Sequence, residues 1–278
     1  FKWAKEMDIV SWDNYPAYDT PWSFTAMRHD LMRGLKGKPF MLMEQTPSQQ
    51  NWQPYNSLKK PGQMRAQSYQ SMAHGADTVQ FFQLRRSVGA CEKFHGAVIE
   101  HVGTEDTRVF REVAQLGGEL QALGGRLLGA ENNAQVGILF DWDNYWALEY
   151  TSGPSVDLKY VDQIHQYYKY FYGRNISVDM IPADADFSKY KMVVAPVLYM
   201  VREGVAEALE RYVSDGGTLV TGFMSGLVDQ SDNVHLGGYP GPLRKLAGVW
   251  AEEIDALAPE QRNALRFEDG EEGSCALL

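Results

Sequence analysis

Residues 40–44, Phe40-Met41-Leu42-Met43-Glu44, form a short apolar run that ends on an acidic residue. A turn-forming Lys-Pro pair precedes the run, and the polar segment at 45–48 follows it. An apolar run without alternation, bounded in this way, predicts a fully buried parallel strand. Because barrel enzymes place their chemistry at the carboxyl ends of strands, Glu44 is a candidate catalytic residue. The alternative is a strand-end glutamate that pairs with a basic neighbour.

Strands and helices alternate around this run. A strand is predicted before it, and the helix between the two begins with Thr20 as N-cap and Pro21 in its first turn. A further helix, strand and helix follow, the last one capped by Thr104. The predicted strands are 7–12, 40–44 and 77–84, and the predicted helices are 20–34, 61–75 and 104–128. This order predicts a parallel β/α architecture.

A second alternation begins after 129–134, which is the predicted domain boundary. Its predicted strands are 135–140, 176–181, 192–195 and 218–221, and its predicted helices are 155–172 and 203–214. This pattern predicts a doubly wound open sheet. The glycine-rich fingerprints of nucleotide-binding folds are absent from it. No clear period is present in 262–278.

Composition excludes several classes of partner. The 278 residues carry a net charge of -10, which argues against a nucleic acid or an anionic membrane as a partner. No run approaches the roughly 20 apolar residues of a membrane helix. The two cysteines, Cys91 and Cys275, lie far apart and indicate neither a disulfide framework nor a zinc site. A reducing compartment, and so a cytoplasmic location, is predicted.

The sequence Glu92-Lys93-Phe94-His95 allows two interpretations. A single Glu-x-x-His favours metal binding only weakly, because di-metal carboxylate bundles need two such motifs. A glutamate and a histidine in a loop after a strand can instead bind adjacent sugar hydroxyls. Trp52 offers a flat apolar face for the C–H side of a pyranose, although a core tryptophan is an equally good interpretation.

Three separated motifs together resemble the β-galactosidases of glycoside hydrolase family 42. They are MEQTPS at 43–48 with Asn51-Trp52, CEKFHGA at 91–97 and GYPGPLR at 238–244. The resemblance implies that 1–130 is the C-terminal part of a (β/α)8 TIM barrel, strands six to eight. It also implies that 131–278 is a flavodoxin-like trimerisation domain, and hence a homotrimer.

The resemblance also implies a role for each matching residue. Glu44 resembles the nucleophile of a retaining β-galactosidase, and Trp52, Glu92 and His95 resemble residues that contact the galactose. Tyr15 resembles a tyrosine of the same site through a looser alignment. Neither a cofactor nor a metal is implied, and the substrate is a terminal β-D-galactoside.

One element of the family pattern has no counterpart in these residues. The acid/base glutamate of the family belongs to an Asn-Glu pair that ends an earlier strand, whereas this chain begins at Phe1 without a methionine. We therefore expect a piece of a longer protein that is inactive by itself. The alternative function is that of a catalytically inactive fragment or homologue that acts in oligomer assembly or sugar binding.

Overall fold

A three-stranded parallel sheet organises the first part of the chain. In the computed structural model, which describes residues 1–278, its strands are β1 (Ser11–Asp13), β2 (Phe40–Glu44) and β3 (Ala76–Val79). β2 lies in the middle and pairs in parallel with both neighbours. The predicted strand at 40–44 and the parallel architecture are therefore confirmed.

The first residue of β1 and the last residue of β3 differ from those that the sequence patterns predict. β1 begins at Ser11 rather than Met7, and β3 ends at Val79 rather than Leu84. Both predictions extended the strand along apolar sequence. The regular register with β2 is limited to these residues, and beyond it the chain keeps only single hydrogen bonds, such as the one from the N–H of Phe82 to the carbonyl of Gln45.

Three helices accompany the sheet: α1 (Trp22–Gly34), α2 (Gln63–Ala73) and α3 (Arg108–Leu127). The N-cap of α3 is Thr107, whose hydroxyl accepts a hydrogen bond from the N–H of Phe110 at 3.2 Å. The predicted cap at Thr104 is wrong, because the extended backbone that capping requires occurs at Thr107. The cap position of α1 is occupied by Pro21 rather than Thr20, without a capping side chain.

The core of this region lies between one face of the sheet and α1. Phe40 and Leu42 have no exposed surface, and Ala76 beside them is 4% exposed. Met32 and Leu35 at the end of α1 pack against these residues. Burial of large side chains at the middle strand fixes the position of α1 over β2.

Within residues 1–278 the two faces of β2 differ in exposure, and burial of the strand on both faces stays a prediction. Met43 is 40% exposed, whereas Leu42 beside it is fully buried. Met32 and Leu35 pack on the face that carries Phe40 and Leu42.

A second parallel sheet organises residues 134–278. Its strands are β4 (Val136–Leu139), β5 (Val178–Ile181), β6 (Met192–Ala195) and β7 (Thr218–Thr221), in the order β5-β4-β6-β7. Helices α4 (Trp142–Glu149), α5 (Tyr160–Tyr172) and α6 (Val205–Ser214) connect or flank them. The predicted parallel sheet is confirmed in this half also.

Four helices and strands of this half were not predicted. Besides α4 they are the short helix α7 (Arg244–Ala247) and an antiparallel hairpin of β8 (Asn263–Arg266) and β9 (Glu272–Cys275). α4 depends on Asp141, whose carboxylate accepts from the N–H groups of Asp143 and Asn144 and also binds Arg202. Because α4 is rich in aromatic residues, its helical period is not evident from the sequence, although Asp141 is a recognisable N-cap residue.

Contacts divide the chain into two compact units, Phe1–Asn133 and Ala134–Leu278. The second unit has its own core, formed by β4, β6 and α6 around Val193, Leu209 and other buried residues. None of the helices in either unit combines the length and the apolar character needed to cross a bilayer.

The packing of β2 predicts that two adjacent substitutions change the free energy of unfolding by different amounts. Leu42→Ala should lower the free energy of unfolding by about 2–5 kcal/mol, because it leaves a cavity between β2 and α1. Met43→Ala removes a side chain that is 40% exposed within these residues and should change it by less than about 0.5 kcal/mol. Urea denaturation of residues 1–278 measures both values, and equal losses would contradict the packing of Leu42 against α1.

Candidate active site

The carboxyl ends of β1, β2 and β3 lie at one level. The carbonyl of Glu44 accepts from the N–H of Asn14 at 2.8 Å, and the N–H of Gln45 donates to the carbonyl of Gln80 at 3.1 Å. The carbonyl of Gln45 accepts from the N–H of Phe82 at 3.0 Å. The three loops that follow the strands therefore leave from the same edge of the sheet.

A hydrogen bond joins the ends of β1 and β2 through their side chains. The hydroxyl of Tyr15 donates to Oε2 of Glu44 at 2.8 Å. Burial raises the pKa of Tyr15 well above its ordinary value of 10, and the hydrogen bond and the charge of Glu44 raise this pKa further. Tyr15 is therefore a protonated donor at every pH near neutrality. Burial and the Glu44 charge also raise the pKa of Asp13.

Aromatic rings surround this hydrogen bond. Trp52 meets Tyr15 edge to face with 4.9 Å between ring centroids, and stacks on His95 at 5.2 Å. Phe82 meets His95 edge to face with 5.1 Å between ring centroids. Trp52 is 52% exposed within these residues, so one side of its ring is accessible. The cluster presents apolar ring surface next to a carboxylate.

His95 has one nitrogen in use and one without a partner. Its Nδ1 lies 3.0 Å from the carbonyl of Gly96, and since a carbonyl only accepts, Nδ1 carries a proton. Nε2 is buried and has no hydrogen-bond partner. In the neutral ring this atom is an acceptor, and a buried acceptor without a partner is costly. A ligand hydroxyl would satisfy it.

Glu92 belongs to a one-turn 3₁₀ helix at Cys91–Phe94, in the same loop as His95. Its negative charge contributes to the raised pKa of Tyr15, so its carboxylate acts on the same hydroxyl that binds Glu44. The structure thus brings together four of the side chains that the sequence singled out, Tyr15, Glu44, Trp52 and His95, and the fifth, Glu92, lies in the loop that carries His95. No set of three or more His, Cys, Asp or Glu side chains is arranged to hold a metal.

Two residues of this region were missed by the sequence analysis. Phe82 was assigned to the predicted strand at 77–84, and only the early end of β3 places it in the cluster. Lys59 is buried, and its Nζ donates to the carbonyl of Thr46 at 2.5 Å while its N–H donates to Ser48. Burial lowers the pKa of Lys59 to about 7. A lone lysine in a polar loop gives no signal of this role.

Comparison with known families places both parts of the chain in one group of proteins. Residues 1–123 match a glycoside hydrolase family 42 model described as β-galactosidase. Residues 134–278 match a second model of that family, described as a β-galactosidase trimerisation domain.

Individual relatives agree with these matches. The chain is 66% identical over 266 residues to the β-galactosidase BgaA of Planococcus sp. (strain 'SOS Orange'), covering 95% of this chain and 39% of the relative. A solved β-galactosidase from Bacillus circulans sp. alkalophilus is 62% identical, with a TM-score of 0.97, over 99% of this chain and 42% of that one. Gan42B, a family 42 β-galactosidase of known structure, is 41% identical with a TM-score of 0.94, over 99% of this chain and 41% of its own. The chain therefore spans about two fifths of these relatives.

The relative size of the effects that raise the pKa of Tyr15 predicts which of two substitutions lowers this pKa more. Glu44→Gln removes the larger charge effect and the charged acceptor, so it should lower the pKa of Tyr15 clearly. Asp13→Asn removes a smaller charge effect and should lower it less. The ring-carbon NMR shift of Tyr15, assigned with Tyr15→Phe, is followed up to the highest pH at which the protein stays folded, and it should begin to change at lower pH in Glu44→Gln than in Asp13→Asn or wild type. An equal or larger shift in Asp13→Asn would show that the Tyr15–Glu44 hydrogen bond is not the dominant contact.

Proposed function

This chain belongs to the β-galactosidases of glycoside hydrolase family 42, and on that premise we propose that the protein hydrolyses terminal β-D-galactosides with Glu44 as nucleophile. The observation that carries this proposal is the hydrogen bond from Tyr15 to Oε2 of Glu44 inside the aromatic cluster. It leaves Oε1 of the same carboxylate free to attack a bound sugar.

Apolar surface and a free acceptor support a sugar as the ligand. The C–H face of a pyranose fits against an aromatic plane, and Trp52 is about half exposed beside Glu44. The unpartnered Nε2 of His95 accepts from one hydroxyl, and the Glu92 carboxylate accepts from a neighbouring hydroxyl. Two acceptors in one short loop suit a pair of adjacent hydroxyls.

The reaction proceeds by double displacement with retention. Oε1 of Glu44 attacks the anomeric carbon while the bond from that carbon to the leaving oxygen breaks, and an acid outside these residues protonates that oxygen. The same group then takes a proton from water, whose oxygen attacks the anomeric carbon and releases Glu44. In retaining enzymes the two carboxyl groups lie about 5–5.5 Å apart. Tyr15 orients the Glu44 carboxylate and stabilises its charge.

The finer architecture is part of the same proposal. The first unit is the C-terminal part of a TIM barrel, in which β1 to β3 correspond to strands six to eight. The second unit is a flavodoxin-like domain, in keeping with its parallel order β5-β4-β6-β7, and it assembles the protein as a homotrimer. A cytoplasmic location stays a prediction from the sequence.

The alternative is a non-catalytic protein that acts in assembly or sugar binding. Sugar binding alone would need only the exposed ring of Trp52 and the unpartnered Nε2 of His95, which these residues supply. Against it, a polypeptide that had lost catalysis would have no need to keep a carboxylate, its tyrosine donor and an open tryptophan in contact.

Trapping of the intermediate tests the role of Glu44. In the full-length protein that contains these residues, a 2-deoxy-2-fluoro-β-galactosyl inactivator should form an ester on the peptide that carries Glu44, because fluorine at C2 slows its breakdown. Peptide mass mapping locates the ester, and Glu44→Gln should carry none. An ester on Asp13, or an inverted product without an ester, would contradict the assignment.

Residues 1–278 alone should hydrolyse nitrophenyl β-galactoside no faster than their Glu44→Gln variant.

Sedimentation velocity tests the assembly. The protein should sediment at micromolar concentration as a species of three times the chain mass. Trp146 on α4 is 61% exposed, and because exposed tryptophans are enriched at the centres of interfaces, Trp146→Ala should weaken the trimer. Trp22→Ala, which changes a 45% exposed tryptophan of the first unit, is the matched control. A monomeric wild-type protein would count against the assembly.

A further inference from the structure

The loop that carries Glu92 and His95 has almost no regular structure of its own. Its segment at 80–103 holds one 3₁₀ turn and an isolated bridge between Arg85 and Ile99. The guanidinium of Arg86 reaches across this loop, with Nε 3.0 Å from the carbonyl of Lys93 and an Nη 3.0 Å from the carbonyl of Phe94. These two carbonyls lie between Glu92 and His95. Arg86 therefore binds the backbone that sets the spacing of the two side chains.

The remaining nitrogen of Arg86 is connected through Glu100 to the loop that follows Glu44. It donates to Oε2 of Glu100 at 2.7 Å, and Oε1 of the same carboxylate accepts from the hydroxyl of Ser48 at 2.7 Å. Ser48 is fully buried and lies four residues after Glu44. The side chains of Arg86 and Glu100 are 16% and 15% exposed, so solvent screens this ion pair little. We call the set Arg86, Glu100 and Ser48 the loop clamp.

Direct contact between the two loops restricts the distance between them. The N–H of Gly96 donates to the carbonyl of Gln49 at 2.8 Å. A Cβ on Gly96 would lie 1.8 Å from the Ser48 hydroxyl and 2.8 Å from the Gln49 nitrogen. Only glycine allows the backbone next to His95 to approach Ser48 this closely.

We propose that the loop clamp is a positioning device that fixes the distance between the nucleophile Glu44 and the sugar-holding pair Glu92 and His95. This proposal rests on the proposed function. None of the clamp residues is placed on the reacting atoms; each acts through the backbone it holds. Arginine is required because its planar fork binds two carbonyls and a carboxylate at once, which an ammonium cannot do in the same geometry.

The comparison of Arg86→Lys with Arg85→Lys in the full-length protein tests this role. Arg86→Lys should lower kcat/KM for 4-nitrophenyl β-galactoside about 100-fold, as expected for a displacement of about 1 Å between reacting groups. Arg85 is adjacent and exposed, and Arg85→Lys should stay within about twofold of wild type. Equal kcat/KM values for the two variants would overturn the proposal.

A double-mutant cycle separates positioning from a general effect on stability. If Arg86 acts through the sugar-holding loop, Arg86→Lys should cost much less kcat/KM in a His95→Ala background than in wild type. A merely structural role predicts the same loss in both backgrounds, and that result would overturn the proposal. Thermal unfolding is followed in parallel so that all rates are measured on folded protein.

A milder break of the clamp covers the case in which Arg86→Lys does not fold. Ser48→Ala removes one hydrogen bond, and should raise KM about threefold or more with the same non-additivity toward His95→Ala. Ser57→Ala, in an exposed part of the same loop, is its control. Absence of the trapped ester on Glu44 in wild type would overturn the proposed function and the clamp with it. An ester on Glu44 in wild type, together with clamp variants that behave like their controls, would overturn the clamp alone.

Discussion

The backbone pairing of β2 with a neighbour on each side is the constraint from which the site is built. Parallel strands expose their carboxyl ends at the same edge, and the bonds from Asn14 to Glu44 and from Gln45 to Gln80 bring the three ends to one level. Tyr15 can reach Glu44 only because of this alignment. The side-chain hydrogen bond is thus a consequence of the sheet.

Loops, rather than strands, then shape the surface around Glu44. The segment after β2 carries Trp52, and the segment after β3 carries Phe82, Glu92 and His95. Both segments are irregular, so their conformation depends on side chains that bind backbone groups. Lys59 holds the first segment through Thr46 and Ser48, and the loop clamp holds the second against it. Hydrogen bonds from polar groups of low exposure therefore stabilise these segments in the absence of a regular helix or strand.

Electrostatics in the site follow from partial burial. Tyr15 stays protonated because burial and the nearby negative charges both oppose its ionisation. A permanent donor beside a carboxylate restricts that carboxylate to one orientation. The unpartnered Nε2 of His95 shows the complementary situation, in which a buried acceptor is left for a ligand to satisfy. The site is therefore ordered around Glu44 and has an unsatisfied acceptor at His95.

The sequence by itself determined the parallel α/β architecture and the strand at 40–44, and its motifs singled out Tyr15, Glu44, Trp52 and His95, which the structure brings into one cluster. These features depend on local patterns and short motifs. Only the tertiary structure decided that β1 begins at Ser11, that the end of α1 packs on the Phe40 and Leu42 face of β2 and that Phe82 joins the cluster. It also decided the roles of Lys59 and Arg86, which bind backbone carbonyls distant in sequence. Strand limits and such contacts depend on pairing partners across the fold, and no local pattern in the sequence encodes them.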